Sequence, residues 1–387
     1  MQDEALEYYM VGGCVRDYLL GKKPDDTDVA FAGTDTLLLQ RNPQARKIGP
    51  EGKHIFIVNG RECSPLDPAG AAADALRRDF TINALLVDSR GRLYCHPDSL
   101  ADLRAKRIHP ASPTAMQADP LRVFRAARLW AALPSFHLTD ACTAAMQATP
   151  EAMLGTIAPE RVGQEVLKAC AAEQPGNFLL AIAQGGNLLP WFQELEGAAD
   201  IPAGPAAFHS RSVLGHTVRI MNDTAAIARE NGYTDPKDST RTMAVWMAFC
   251  HDLGKTSTPA AEWPRHHGHE ARGMAAATAL GQRLRLPSAQ VKAGRIAAEL
   301  HMKAGVYPSL RIATRVKLLV TLWQHRLLTP FFFMVAADSG DRSLPDLARQ
   351  QLEAVRKVHL PPKWQNKGAT SALHLHELRC KALKAAT

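Results

Sequence analysis

The chain reads as an α+β N-terminal part followed by an all-α remainder, on three observations. Short apolar runs at Tyr8–Val11, Asp28–Ala32, His54–Val58 and Ala84–Val87 have the length and flanking turn residues of strands. From about residue 114 onward such runs give way to apolar residues at helical spacing. The 387 residues, with no repeat or low-complexity tract, are enough for two or three domains.

Taken in order, Tyr8–Val11 is followed by Gly12-Gly13 and a helical stretch, Val15–Leu20, that Gly21 ends. Arg107-Ile108-His109-Pro110 opens a proline-punctuated passage that reads as a boundary. Helical spacing then recurs at Leu121–Ala132, Asp140–Ala148, Pro159–Ala172 and Asn177–Gly185. The Pro/Ala/Gly stretch Ala198–Ala207 reads as a second linker. Residues 212–345 read as helices carrying many histidines, and 346–387 as a basic helical tail interrupted at Pro361-Pro362. The expected division is therefore 1–110, 111–204, 205–345 and 346–387.

Composition narrows the function classes. A net charge of +8 favours a polyanionic partner such as nucleic acid. Seven scattered cysteines, none in a Cys-x-x-Cys pair, argue against a zinc ribbon and suit reduced thiols. The acidic start of the chain lacks the basic region of a secretory signal, and no apolar run approaches the ~20 residues of a membrane span. The expectation is a cytoplasmic enzyme with no membrane partner.

Chemistry-bearing residues cluster early. A Gly-Gly turn opening a helix can cradle phosphates with backbone N–H groups, which nominates Gly13 and, on the following turn, Arg16. Asp26 and Asp28, one residue apart on an expected strand, would point to one face and share Mg²⁺ ions, the device of in-line phosphoryl or nucleotidyl transfer. Arg77-Arg78-Asp79 can neutralise phosphate oxygens or simply form a surface ion pair, and Asn83 lies one helical turn beyond Asp79. Arg122, Arg125 and Arg128 recur every three residues, and a solvated helix face would explain Arg128 equally well. Asp119 with Arg122 could present an acceptor and donors side by side to a base edge.

Gly12–Asp17, Asp26/Asp28, Arg77–Ala84, Asp119–Arg128 and Pro159-Glu160-Arg161 together resemble the ordered motifs of class II tRNA nucleotidyltransferases, the CCA-adding enzyme and poly(A) polymerase family. The resemblance covers roughly residues 8–200. It implies a polymerase-β-like nucleotidyltransferase head and a helical neck and body that hold the tRNA acceptor end. Asp26 and Asp28 would bind Mg²⁺ and activate the tRNA 3′-hydroxyl. Arg77, Arg78 and Asp79 would handle ribose and triphosphate, and Asp119 and Arg122 would read CTP or ATP without a nucleic-acid template. Glu160 and Arg161 would support the neck helix.

Two departures stand out. Ala118 occupies the place of the usual Glu before Asp119, while the base-reading pair is kept. Glu62–Gly70 runs almost directly into Ala71–Arg78, leaving little room for the family's long mobile loop. In the family, loss of that loop goes with adding only CC and leaving the terminal A to a separate enzyme. A harmless trimming of the loop explains the same sequence.

The second half offers His251-Asp252-Leu253-Gly254-Lys255, with His216 before it and Asp338 after. Such a His/Asp set suits a transition ion such as Ni²⁺, Mn²⁺, Co²⁺ or Fe²⁺. His266-His267-Gly268-His269 and His301 add further imidazoles, while His209 and His266 are the first to be expected as caps or core residues. The pattern resembles the HD phosphohydrolase domain, specifically that fused to gammaproteobacterial-type CCA-adding enzymes. The resemblance implies metal-dependent phosphatase and 2′,3′-cyclic phosphodiesterase activities. His216, His251, Asp252 and Asp338 would be the ligands, with Asp341 as the fallback for the last. Lys255, His267, His269 and His301 are candidate substrate contacts. In the tail, Arg356, Lys357, Lys363, Trp364 and Lys367 suit tRNA phosphate, or merely an exposed basic helix. Rival readings are a poly(A) polymerase, and an HD phosphohydrolase whose head only binds RNA.

Overall fold

The computed structural model describes residues 6–24, 26–49, 52, 54–206, 211–235 and 238–386. His209 lies outside them. The chain forms two compact units, 1–154 and 155–387.

The N-terminal unit is built on a seven-stranded mixed sheet. Its strands are β1 (Glu7–Val11), β2 (Val29–Ala32), β3 (Arg46–Ile48), β4 (Ile55–Val58), β5 (Arg61–Pro65), β6 (Leu85–Asp88) and β7 (Leu93–Cys95). Their order is β3-β4-β5-β2-β1-β6-β7, with β2 and β5 parallel and every other pair antiparallel. β1 shows why one face is covered: Tyr9 and Val11 are buried, while the alternate Tyr8 and Met10 are exposed. Helix α1 (Gly13–Leu19) closes onto this sheet through Cys14 and Val15 against Leu85. Helix α2 (Asp35–Arg41), capped by the Thr34 hydroxyl, inserts Leu38 between Phe31 and Phe56. Helix α3 (Ala71–Leu76) lays Ala71 and Ala75 on Tyr9, Val11 and Leu86.

Strands β3, β5 and β7 and helix α2 were not legible in the sequence. β3 is an edge strand with every residue exposed, and β5 is polar apart from Cys63, so neither carries an apolar run.

The unit continues through α4 (Ser99–Arg104), β8 (Arg107–Ile108), α5 (Ala115–Ala118), α6 (Arg122–Ala132), β9 (His137–Leu138), α7 (Asp140–Gln147) and α8 (Glu151–Leu154). The expected boundary near 110 is tied into the head instead. β8 pairs with β9, the Thr81 N–H donates to the His109 carbonyl, and the Ala111 N–H donates to the Asp79 carbonyl. Helix α6 is anchored by buried Val123, Phe124, Ala126 and Ala127.

The second unit is helical among the described residues. It comprises α9 (Pro159–Cys170), α10 (Gly176–Gln184), α11 (Val213–Glu230), α12 (Ser239–Cys250), α13 (His269–Arg283) and α14 (Ser288–Gly305). Then follow α15 (Ile312–Gln324), α16 (Leu328–Ser339), α17 (Leu344–Arg356) and α18 (Ala369–Ala385). Their starts follow local capping chemistry: Pro159 sits in the first turn of α9, Ser212 caps α11 and Asp238 caps α12. α12 and α16 are apolar nearly all round, with Ala244–Cys250 and Pro330–Ala337 buried, so they form the centre of the unit. The stretch expected as a second linker is packed in place: Ala198, Ile201 and Ala203 are buried and Pro202 bridges to Ser212. The contacts thus divide the chain near 154 and not at 110 and 204.

All seven cysteines are free. Among the described residues no helix is long and apolar enough to cross a membrane.

Candidate functional sites

In the N-terminal unit, the Gly-Gly turn takes the form expected of a cradle. Gly12 has φ +75°, a conformation that favours glycine, and its N–H donates to the Leu85 carbonyl. A Cβ there would also meet the Arg78 guanidinium at 3.2 Å. The two aspartates differ from expectation. Asp26 and Asp28 precede β2 and do not lie within it, and both are exposed. The Val11 N–H still donates to the Asp28 carbonyl at 3.0 Å, so the backbone there continues the β1–β2 ladder. Two water-accessible carboxylates are a hard, all-oxygen donor set of the kind Mg²⁺ takes.

The same unit holds a wired set of arginines. Arg16 donates to Asn83 at 2.6 Å, and Asn83 donates to Asp79 at 3.3 Å. Asp79 is 6 % exposed and pairs with Arg125 at 2.6 Å. Burial pushes the Asp79 carboxyl up, but Arg125, the Phe80 N–H and Asn83 outweigh it and hold it below the usual range. Arg122 donates to the Ala115 and Arg77 carbonyls at 3.2 and 2.8 Å, which fixes the plane of its guanidinium. Asp119 is not on the helix with Arg122. It is extended between α5 and α6, where its carboxylate accepts from the Leu121 N–H. Arg128 is half-buried on α6 and makes none of the bonds named here.

Two contributors were missed from sequence. Asp74 is buried and accepts from Arg77 and Arg78 one turn on, a spacing that was visible. Asp67 pairs with Arg77 at 2.5 Å, and its N–H donates to Asp74. The segment between β5 and α3 is thus a five-residue turn (66–70), closed by the Gly70 N–H donating to the Asp67 carbonyl.

The helical unit assembles six side chains from distant points of the sequence. His216 of α11, His251 and Asp252 at the end of α12, and Asp338 of α16 converge. His216 Nε2 lies 3.3 Å from His251 Nε2, 3.3 Å from Asp252 Oδ2 and 3.2 Å from Asp338 Oδ1. His251 Nε2 lies 3.2 Å from the same Asp252 Oδ2. On the other carboxylate oxygen, Asp252 Oδ1, His269 of α13 and His301 of α14 approach to 3.5 and 3.4 Å. His216, His251 and Asp252 form one group with metal-ligand spacing, and Asp252, His269 and His301 form another.

The surroundings orient these groups. His251 Nδ1–H donates to the Ala248 carbonyl at 2.7 Å, which leaves Nε2 to face the cluster. Lys255 is held between Asp252 Oδ2 and the Ala203 carbonyl, each at 2.8 Å, so it positions Asp252 and is not a projecting substrate contact. Burial would raise the Asp252 carboxyl, but Lys255, His251 and His216 hold it well below the usual range. Burial likewise opposes the charged forms of Asp338 and His216, yet His216 and His251 lower the former, and Asp252 followed by Asp338 raises the latter. The donor set fits a borderline divalent ion, with Asp252 Oδ1 buried and lacking a hydrogen bond.

Other expectations sort cleanly. Asp341 is partly buried and its carboxylate accepts from Ser343, whereas Asp338 is the one of the two that faces His216. His266 is buried and donates to the Pro202 carbonyl, a structural role. His267 is exposed, and among the described residues its ring makes no bond to the cluster. Glu160 pairs with Arg285 at the surface. In the tail, Lys363 and Lys367 sit over the Trp364 ring, and Arg356 pairs with Glu353.

An open carboxylate pair and fixed arginines in one unit, with a buried His/Asp cluster in the other, define a nucleotidyltransferase fused to an HD phosphohydrolase. The comparisons agree. Residues 8–67 match the Poly A polymerase head domain and residues 213–323 the HD domain. The "Multifunctional CCA protein" of Xanthomonas oryzae pv. oryzae (strain MAFF 311018) is 33% identical over 341 residues, covering 81% of this chain and 80% of that protein. The chain belongs to the multifunctional CCA protein family. Solved structures share the fold at low identity. A CCA-adding enzyme in complex with ATP has TM-score 0.63 at 17% identity, covering 98% of this chain and 86% of that one. The Thermotoga maritima CCA-adding enzyme complexed with tRNA has TM-score 0.58 at 16% identity, covering 99% and 88%.

Proposed function

We propose that this chain adds C residues from CTP to the 3′ end of tRNA, releasing pyrophosphate, and that it stops before the terminal A. Asp26 and Asp28 would hold Mg²⁺. When bound, that ion supplies charge neutralisation on the triphosphate and a more acidic 3′-hydroxyl. The backbone N–H of Gly13, at the start of α1, with Arg16 and Arg78 serves the triphosphate. Asp79 and Asn83 serve the ribose side and tie Arg125 to Arg16. Asp119 and Arg122 present the acceptor and donors that read the base edge.

The observation that carries this reading is the Arg122–Arg77 and Arg125–Asp79 wiring, which couples the base-reading helix to the phosphate side. Reading C and then A with one pair requires that pair to shift. The turn at 66–70, clamped by Asp67 to Arg77, offers no mobile segment to drive the shift. A separate enzyme would then supply A, in the cytoplasm where tRNA is processed.

The buried cluster, with His216, His251, Asp252 and Asp338 as ligands to a transition ion, supports a phosphohydrolase acting on phosphate monoesters or 2′,3′-cyclic phosphates. Bound there, the ion supplies Lewis acidity and an activated water.

The test is extension of a tRNA lacking its 3′ end with CTP alone, ATP alone and both, resolved at single-nucleotide length. A stop at CC with both nucleotides supports the reading. Completion to CCA overturns the CC limit, a long A tail overturns it in favour of a poly(A) polymerase, and no extension leaves the HD unit as the working part.

A further inference from the structure

We propose that Asp74 is a positioning residue for nucleotide binding: it locks the Arg78 guanidinium so that its one unengaged nitrogen faces the Gly12–Gly13 turn, where the triphosphate docks. This rests on the reading of that turn and Arg78 as the phosphate side of the transfer site.

Arg77 and Arg78 follow Asp74 at i+3 and i+4 around the end of α3, the spacing that brings side chains together on a helical turn. Asp74 is 7 % exposed, and every bond it accepts comes from this corner of the head. Its Oδ2 takes Nε and Nη2 of Arg78 at 3.1 and 2.9 Å. Its Oδ1 takes Nη2 of Arg77 at 3.1 Å and the Asp67 N–H at 3.3 Å. With two of its three nitrogens on one buried carboxylate, the planar Arg78 guanidinium has a fixed orientation. The third nitrogen, Nη1, meets no acceptor among the described residues. It lies 3.2 Å from the place a Cβ would take on Gly12.

Arg16 supplies the contrast. It stands at Gly13, and its Nε and Nη2 also rest on a carboxylate, Asp17, at 2.9 and 2.8 Å. Its Nη1, however, already donates to Asn83 at 2.6 Å. Arg16 thus offers charge, while Arg78 offers charge and an open donor. Arg77 shares the carboxylate but has its side chain 61 % exposed against 21 % for Arg78, so of the two only Arg78 is held at the turn. A bond from Nη1 to a phosphate oxygen is made without reorganisation because Asp74 has already set its direction. The contact involves no base, so it serves every triphosphate alike.

In Asp74→Asn the amide presents N–H groups to Arg78 and releases it. The full chain is assayed for C addition to tRNA lacking its 3′ end, with CTP varied and inorganic triphosphate as competitor. KM for CTP and the inhibition constant of triphosphate should rise together, about tenfold for one misdirected charge-assisted bond, while kcat changes by less than about twofold. Arg78→Gln should give the same rise, and the double variant no more than either alone. An unchanged triphosphate constant in Asp74→Asn beside a raised one in Arg78→Gln overturns this role and leaves the proposed transfer site standing. Unchanged constants in both overturn this role and the phosphate reading of Arg78 together. Effects that multiply in the double variant also overturn the role, since Asp74 would then act through something other than Arg78. If Asp74→Asn fails to fold, Arg78→Lys decides. Lysine keeps the charge, but its single nitrogen cannot rest on Asp74 and face Gly12 at once. The same rise in both constants supports the proposal, and native constants overturn it.

Discussion

The two sites of this chain are opposites in construction. The nucleotidyl transfer site leaves the carboxylates proposed to hold its metal, Asp26 and Asp28, in solvent, and spends its order on arginines held by ion pairs and carbonyls. The phosphohydrolase site buries the side chains of its His/Asp cluster, five of them at 6 % exposure or less. A nucleoside triphosphate arrives with charge and metal of its own, so its site can be open and incomplete until it is filled. A compact phosphate must be met by ions already in place, so its site is a finished cage.

Substituting each site separately tests that contrast. Asp26→Ala or Asp28→Ala should cut C incorporation about 10³-fold while the melting temperature and phosphohydrolase activity hold, because both side chains are exposed. A fall in melting temperature would show that the open site is also structural. Metal removal should act the other way. Chelation should abolish phosphohydrolase activity and lower the stability of the helical unit by about 4 kcal/mol for ions present at ~1,000 times their Kd. A chelated protein that melts unchanged would refute the cage.

Gly254 sharpens the comparison further. A Cβ there would lie 2.0 Å from the His269 carbonyl oxygen and 2.4 Å from the Gly273 nitrogen. Gly254→Ala should therefore cost about 3 kcal/mol and displace His269 from Asp252. C incorporation per folded molecule should be unchanged.

The smallest effect belongs to the open site. Arg125→Ala leaves Asp79 buried with only its two remaining hydrogen bonds, and should cost about 2 kcal/mol because the Arg125 side chain is 39 % exposed. The native Asp79 carboxyl is depressed below its unfolded value. Its stabilisation is therefore full above the ordinary Asp range and is lost as pH falls through the lower folded value. Arg125→Ala should move that loss to higher pH, read as melting temperature against pH from 2 to 6. An unshifted profile would exclude the pair as its source.

What was legible in sequence follows the same division. Helices with strong apolar spacing, such as α6 and α9, were placed within a residue or two, and the converging His/Asp residues were singled out because adjacent His-Asp is a distinctive pairing. Strands β3 and β5 were not, since backbone pairing with β4 and β2 holds them in place of side-chain burial. The Pro/Ala/Gly stretch at 198–207 looked like a linker, yet the carbonyls of Pro202 and Ala203 receive His266 and Lys255. Backbone acceptors carry no residue-type signal. The meeting of His269 and His301 was hidden for a related reason: 32 residues separate them, and only the packing of α13 on α14 brings them together.

The burial of the cluster has a consequence for the protein's history. Its side chains are drawn from helices α11, α12, α13, α14 and α16, and only Asp338, at 22 % side-chain exposure, reaches the rim. An ion once enclosed leaves only when those helices part, so exchange runs on the clock of local opening and not of diffusion. The metal a given molecule carries is then inherited from the pool that surrounded the chain as it folded. Two preparations of identical sequence, grown on different trace metals, should differ in phosphohydrolase behaviour and be indistinguishable in nucleotide addition.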